Sequence, residues 1–316
     1  MIIYGDSDQE LKWFKSLNSS FTNLKTEIIK SRGLNPKLIE SIIKYDRPDI
    51  ILVKDDKPLL VLEISRETPT GHNVGQRMAR LIRALELEIP TIYFFPFDAK
   101  KHGVHASIVN LNARLLKMFD NATRIHDTPI IAVNWLADDN GELIDDPSIR
   151  DFEIKNIIKK FIENDFSKNS PIFAEILKNN KNEYNTRTKN FPNYLEPPNS
   201  LEIIETKKLY DLYSFLDEIS DSLLSKQESA IYKIGYKNTT KKRQDPYTGT
   251  QFIYDYLYCR SGNRVQDKFR NLILSVQNFS KEEWLRKNPN DNTKSSNWYL
   301  TANAIICNDG LINVIE

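Results

Sequence analysis

The chain has 316 residues, of which 40% are hydrophobic and 10% aromatic, with 44 basic against 43 acidic side chains. That supplies a core for one large or two ordinary domains and excludes a disordered chain, which would be poor in large apolar residues and unbalanced in charge. No apolar run approaches the roughly 18 residues needed to cross a bilayer, and two cysteines, Cys259 and Cys307, build neither a disulfide framework nor a four-cysteine zinc site.

The opening Met1–Asp6 lacks both a basic and an apolar signal region, so a cytoplasmic, reducing location with no membrane partner is expected. Residues 7–31 carry apolar side chains at helical spacing (Leu11, Phe14, Leu17, Phe21, Leu24 and Ile28), predicting a long helix, and Lys37–Lys44 a short one. Ile50–Val53 and Leu59–Leu62, joined by a polar Lys-Asp-Asp-Lys-Pro turn, predict a β-hairpin. After Pro69-Thr70-Gly71, residues 74–87 return to helical period. Thr91–Phe95 and Pro129–Val133 read as strands, with a helix over Ser107–Phe119 between them. A tight turn is expected over residues 138–141 and a helix over 151–164. The alternation predicts an α/β (α+β) fold whose mixed central sheet is flanked by helices.

Residues 165–200 are rich in Asn, Lys and Pro and read as a linker or surface excursion. The predicted organisation is therefore a core domain over 1–164 and a second, mixed lobe over 201–316. That lobe is expected to start with a helix containing Leu209, Leu212, Phe215 and Leu216 and to end in a strand near 298–306. Residues 231–270 hold nine basic and three acidic side chains in a chain whose net charge is +1, so basic charge is concentrated there. A basic segment of this kind is the electrostatic footprint of a nucleic-acid contact. Lys241, Lys242, Arg243, Arg260 and Arg264 are the candidate DNA-binding cations, and Gln244 and Asn263 have side chains that can read base edges. Phe252–Tyr258 alternates like a strand, which would place Tyr254, Tyr256 and Tyr258 on one face, either stacking on bases or covering the core.

The most informative segment is Arg47-Pro48-Asp49-Ile50-Ile51-Leu52-Val53 followed by Val61-Leu62-Glu63-Ile64-Ser65. Asp49 opens the first hairpin strand and Glu63 lies near the end of the second, so the two carboxylates come close to facing one another. Acidic groups inside strands this apolar are costly unless paired or bound to a cation. Two such oxygens at a sheet end suit Mg²⁺, which takes few carboxylates and retains water.

Over roughly residues 20–135 the sequence resembles the PD-(D/E)xK nuclease superfamily, to which many type II restriction endonucleases belong. The resemblance rests on Pro48-Asp49 and Glu63-Ile64-Ser65 in an α-β-β-α-β order. It implies a restriction-endonuclease-like core and Mg²⁺-dependent hydrolysis of duplex DNA by a homodimer, with Asp49 and Glu63 holding the metal. Ser65 stands where the family has lysine. Glu67, Gln76 on the following helix, and Glu27 are the candidates to compensate, while Lys57 in the turn lies too far away. Arg66, Arg77 and Arg80, with Arg83, follow the carboxylates and could face phosphates. His72, His102 and His105 read as polar loop residues. The alternatives are a non-cleaving DNA-binding protein with a decayed core and a protein-interaction module on the same scaffold.

Overall fold

In the computed structural model the apolar runs of the first half pair into one sheet, starting from a strand that the long helical pattern at 7–31 concealed. The structure describes residues 1–100, 107–190, 199–216, 219–236, 243, 245–260, 270–286 and 297–314. The elements of this half are β1 (Ile2–Gly5), α1 (Asp8–Ser16), β2 (Lys25–Ile28), α2 (Lys37–Ile42), β3 (Ile50–Lys54), β4 (Lys57–Ile64), α3 (His72–Glu86) and β5 (Thr91–Phe95). They are followed by β6 (Asp98–Lys100), β7 (Ile108–Asn110), α4 (Ala113–His126), β8 (Ile130–Asn134), α5 (Pro147–Arg150), α6 (Phe152–Glu163) and α7 (Pro171–Asn190). The sheet order is β2-β1-β3-β4-β5-β8, with β1, β3 and β4 antiparallel in turn and β4, β5 and β8 parallel. The expected fold class, a mixed sheet flanked by helices, is what the structure has.

The β3–β4 hairpin turns through Asp55 and Asp56, both at positive φ (51° and 56°), the backbone that a two-residue hairpin turn requires. Alternation along the strands buries both faces. Ile3, Ile50, Leu52, Leu60, Leu62, Ile92, Phe94 and Val133 pack with Leu11, Phe14, Ile157, Phe161 and Phe173. Tyr4, Ile51, Val53 and Val61 pack with Ile39, Ile42, Ile43 and Ala84.

Several local expectations are corrected. The helix over 7–31 stops at Ser16: Asn18 accepts a hydrogen bond from the Ser20 N–H and starts a short 3₁₀ turn, and Lys25–Ile28 then adds to the sheet edge beside β1. Phe21 still enters the same core, which is why the apolar spacing ran on past the helix. Ser107–Phe119 is not one helix: Ile108–Asn110 is a strand, and Asn112 caps a helix that begins at Ala113. The supposed linker 165–200 contains the 20-residue α7, which buries Ile172, Phe173 and Ile176. Only the first half of that helix meets the core, so its periodicity is diluted.

The chain divides into one unit of Met1–Thr70 and Arg80–Asn193 and another of Gly71–Ala79 and Tyr194–Glu316, so α3 contributes to both. The second unit has β9 (Leu201–Glu205), α8 (Leu209–Leu212), α9 (Asp221–Leu224), β10 (Glu228–Lys233), α10 (Pro246–Cys259), β11 (Asn271–Ser275), α11 (Lys281–Leu285), β12 (Ala304–Cys307) and β13 (Gly310–Asn313). Its sheet runs β13-β12-β11-β10-β9, with β10, β11 and β12 parallel between antiparallel edges. It opens with a strand, not a helix, and Phe215 and Leu216 lie beyond the single turn of α8.

The Tyr-rich run 252–258 is helical, not a strand. Asp245 caps α10 by accepting from the Tyr247 N–H at 3.2 Å and the Thr248 hydroxyl at 2.6 Å, with Pro246 in the first turn. Phe252, Ile253, Tyr256 and Cys259, spaced 1, 3 and 3 apart, are all buried. Tyr254 and Tyr256 are therefore core residues and do not form an exposed stacking face.

Candidate active site

The register brings Asp6, Asp49 and Glu63 to one end of the first sheet. Gly5 of β1 pairs with Ile50 of β3, and Ile50 pairs with Leu62 of β4, so Asp6 and Asp49 lie one step beyond the paired residues, and Glu63 lies one step beyond the β3 pairing, where β4 still pairs with β5. The Asp6 N–H donates to the Asp49 carbonyl at 2.9 Å. The next residue, Ser7, caps α1 by accepting from the Glu10 N–H at 3.3 Å, which puts Glu10 in the first helical turn. One carboxylate oxygen from each of Asp6, Glu10 and Asp49 consequently lies within 4.8 Å of the other two.

This is an electrostatically unfavourable arrangement when empty. Asp49 is 8% exposed and Glu63 fully buried. Burial pushes the Asp49 carboxyl well above the usual carboxylate range, and the charges of Glu63 and Glu10 push it further, against a 2.6 Å hydrogen bond from the Ile64 N–H. Burial also raises the Glu10 carboxyl, and its Oε2 is buried without a hydrogen-bond partner. The macrodipole of α1 offsets part of this at its N-terminus. A divalent cation would offset more. In an octahedron with Mg–O near 2.1 Å, oxygens stand about 3.0 Å apart along an edge and about 4.2 Å apart across the centre. The three donors, within 4.8 Å of one another, would draw closer to take adjacent positions of that octahedron, and their all-oxygen chemistry suits Mg²⁺.

Glu63 takes a different part from the one its motif implies. The Arg80 guanidinium, on the second half of α3, donates through Nη1 to Glu63 Oε1 at 3.0 Å and Oε2 at 3.2 Å, and through Nη2 to Asp46. Burial works against that guanidinium's charge, but Glu63, Asp46 and Asp49 hold it protonated above its ordinary range. Arg80 is only 7% exposed, so it is a fixed internal counter-charge and not the phosphate-facing side chain expected of it.

Comparison of the chain with protein-family models, with curated proteins and with solved structures finds no match to any of them. The site is therefore read from its own geometry.

The remaining sequence candidates divide by position. Ser65 is buried beside the motif, its hydroxyl donating to the Glu67 carbonyl at 2.9 Å and accepting from the Glu67 N–H at 3.2 Å. Glu67 is half-buried, and since β4 ends at Ile64 it does not continue that strand. Glu27 lies on β2, paired with Lys25 at 2.6 Å, and not on a helix. Gln76 and Arg77, both half-buried on the first half of α3, are counted with the second unit. Arg66 forms a two-pronged pair with Asp145 at 3.0 and 2.8 Å and lies over the Trp135 ring, so its fork is already engaged. Arg83 pairs with Glu86 at 3.1 Å.

In the second unit Arg260 is buried, donating to the carbonyls of Arg270 and Thr301 and to Asn303, and is a structural residue instead of a DNA contact. Arg243 lies over the Tyr299 ring at 5.6 Å. Lys241, Lys242, Arg264, Gln244, Asn263, His102 and His105 lie outside the described residues, as does the side chain of His72.

Sequence reasoning missed Asp6, Glu10, Asp46 and Arg47. The signal for the first two was present: an apolar run at Ile2–Tyr4 ended by Gly5-Asp6, then Ser7-x-x-Glu10, the pattern of a strand feeding a capped helix.

Proposed function

We propose that the chain is a Mg²⁺-dependent deoxyribonuclease that hydrolyses phosphodiester bonds of duplex DNA, with sequence-specific type II restriction cleavage by a homodimer as the finer reading. The observation that carries it is the convergence of Asp6, Glu10 and Asp49 oxygens within 4.8 Å at a sheet end, beside the Pro-Asp and Glu of the motif. In this reading Asp49 is the central ligand, and Asp6 and Glu10 complete the set. Glu63, neutralised by Arg80, shapes the site from behind. The bound metal would polarise a phosphoryl oxygen and supply an activated water. Two active sites are needed to cut both strands at one place, which is the reason to expect a dimer.

One observation favours a second reading, a DNA-binding protein without cleavage: Ser65 replaces the motif lysine, and its hydroxyl is occupied by the Glu67 backbone. Incubation of the purified protein with phage and plasmid DNA, with Mg²⁺ or with EDTA, separates the two. Discrete fragments only with Mg²⁺, lost in Asp49→Ala, support the nuclease. Cleavage undiminished in Asp49→Ala overturns the site. Metal-independent binding without cleavage supports the second reading.

A further inference from the structure

Beside the acidic cluster the first unit has a pocket of about 280 Å³ lined by Lys30, Ser31, Arg32, Ile43, Asp46 and Arg47. Three of these six carry positive charge and one negative. Two of the wall residues reach the site directly. Arg47 Nε is 2.8 Å from Asp6 Oδ1, and Asp46 accepts from Arg80. The other two cations are not used up: among the described residues neither Lys30 nor Arg32 is paired with a carboxylate, and both are exposed. Arg32 Nη2 donates to the Tyr45 carbonyl at 3.0 Å and Arg47 Nη1 to the Ile29 carbonyl at 3.3 Å, so two guanidiniums are held at the rim by backbone. The local charge is thus the reverse of that one side chain away, where three carboxylates converge.

We propose that this pocket binds a phosphodiester group of the nucleic-acid strand adjacent to the one presented to the acidic cluster. A polyanion cannot approach Asp6, Glu10 and Asp49 without a compensating cationic surface. Two of the arginines expected to provide it are committed elsewhere, Arg66 to Asp145 and Arg80 to Glu63 and Asp46. Lys30 and Arg32 provide it, with Arg47 between the two sites. The inference rests on the nuclease reading for the identity of the strand, but its test does not require cleavage.

The experiment is fluorescence anisotropy of a labelled 20-base-pair duplex in EDTA across a salt series. It compares the wild-type protein with Lys30→Ala/Arg32→Ala and with a control, Lys54→Ala/Lys159→Ala, that removes exposed charge elsewhere on the same unit. Log affinity falls by about 0.9 per decade of salt for each phosphate neutralised, so each contact is worth about eightfold at 0.1 M relative to 1 M. The pocket variant should bind one to two orders of magnitude more weakly at about 0.1 M salt, with a slope shallower by about 2, while the control stays near wild type.

Equal binding by the pocket variant and wild type overturns the proposal, as does failure of the wild type to bind the duplex. Inorganic phosphate is titrated in a parallel arm. Micromolar phosphate binding lost in the pocket variant, with duplex binding unchanged, assigns the pocket to free phosphate and also overturns it. If binding behaves as expected but no DNA is cut with Mg²⁺, the pocket stands and the nuclease reading falls.

Discussion

Asp49 is where the tension between folding and function is concentrated. Its carboxyl is buried next to two other carboxylates, and its raised pKa has a defined consequence for stability. Below its ordinary pKa, Asp49 is protonated in folded and unfolded chains alike and contributes nothing. As pH rises the unfolded chain loses the proton first, so stability falls until pH passes the raised folded value and is constant above it. Asp49→Asn should flatten that fall and raise the thermal midpoint at neutral pH without metal. Mg²⁺ at ten times a roughly millimolar Kd should stabilise the wild type by about 1.4 kcal/mol, a shift of about 3–6 °C, and leave Asp49→Asn unmoved. An equal Mg²⁺ shift in both proteins would remove Asp49 from the metal site. Arg80 makes the complementary case. Arg80→Met removes the guanidinium counter-charge from the fully buried Glu63 and should cost about 3–5 kcal/mol in urea unfolding, most of it recovered in Arg80→Met/Glu63→Leu. A loss that persists in the double variant would mean that packing, and not charge, is what Arg80 supplies.

At the scale of the element, α7 shows how a segment that reads as a linker becomes part of the sheet. Strand β8 is an edge, and an edge leaves backbone groups unpaired. The Asn180 side chain fills that place: its Oδ1 accepts from the Ala132 N–H at 2.9 Å and its Nδ2 donates to the Ala132 carbonyl at 2.9 Å, imitating one rung of a neighbouring strand. Asn180→Ala would leave both buried groups without partners and should destabilise the first unit by about 2–4 kcal/mol, measured as a fall in urea midpoint; a midpoint unchanged from wild type would show that the bridge contributes nothing. In the second unit the same closeness appears at Gly249 on α10, where a Cβ would overlap the fully buried Trp298 indole. Gly249→Ala should therefore cost about 1–3 kcal/mol despite the better helix propensity of alanine, and an increase in stability would contradict the packing.

For the molecule as a whole, the two units divide charge differently from what a count along the sequence implied. The basic excess of residues 231–270 is partly spent inside the second unit: Lys233 pairs with Glu202 at 3.2 Å, Arg270 pairs with Glu228 at 2.7 Å, and Arg260 is buried among carbonyls. A count of cations overstates the positive field wherever the fold supplies partners. The restriction-type reading makes a further demand at this scale: sedimentation of the purified protein should give a particle of two chains, and a monomer that still cuts both strands at one position would remove the reason for a dimer. Among the described residues no helix is long and apolar enough to cross a membrane.

Elements whose signals are local were legible in the sequence. The β3–β4 hairpin, α3, β5 and the mixed-sheet class follow from apolar period and turn chemistry, and Asp49 and Glu63 reach one end of the sheet together because strand register is set by the hairpin turn. The partners that lie far along the chain were not legible there. Arg80 turns towards Glu63, 17 residues away, and Asp46, 34 residues away, and Asp6 and Glu10 join Asp49 only because β1 pairs with β3. The 252–258 run fitted both a period of 2 and a period near 3.6, and the Asp245 cap together with burial of Phe252, Ile253 and Tyr256 selected the helix. Periodicity records which side of an element is buried. Which charge meets which is set by the packing of elements distant in sequence, and in this protein that packing is what joins three carboxylates and commits an arginine beside them.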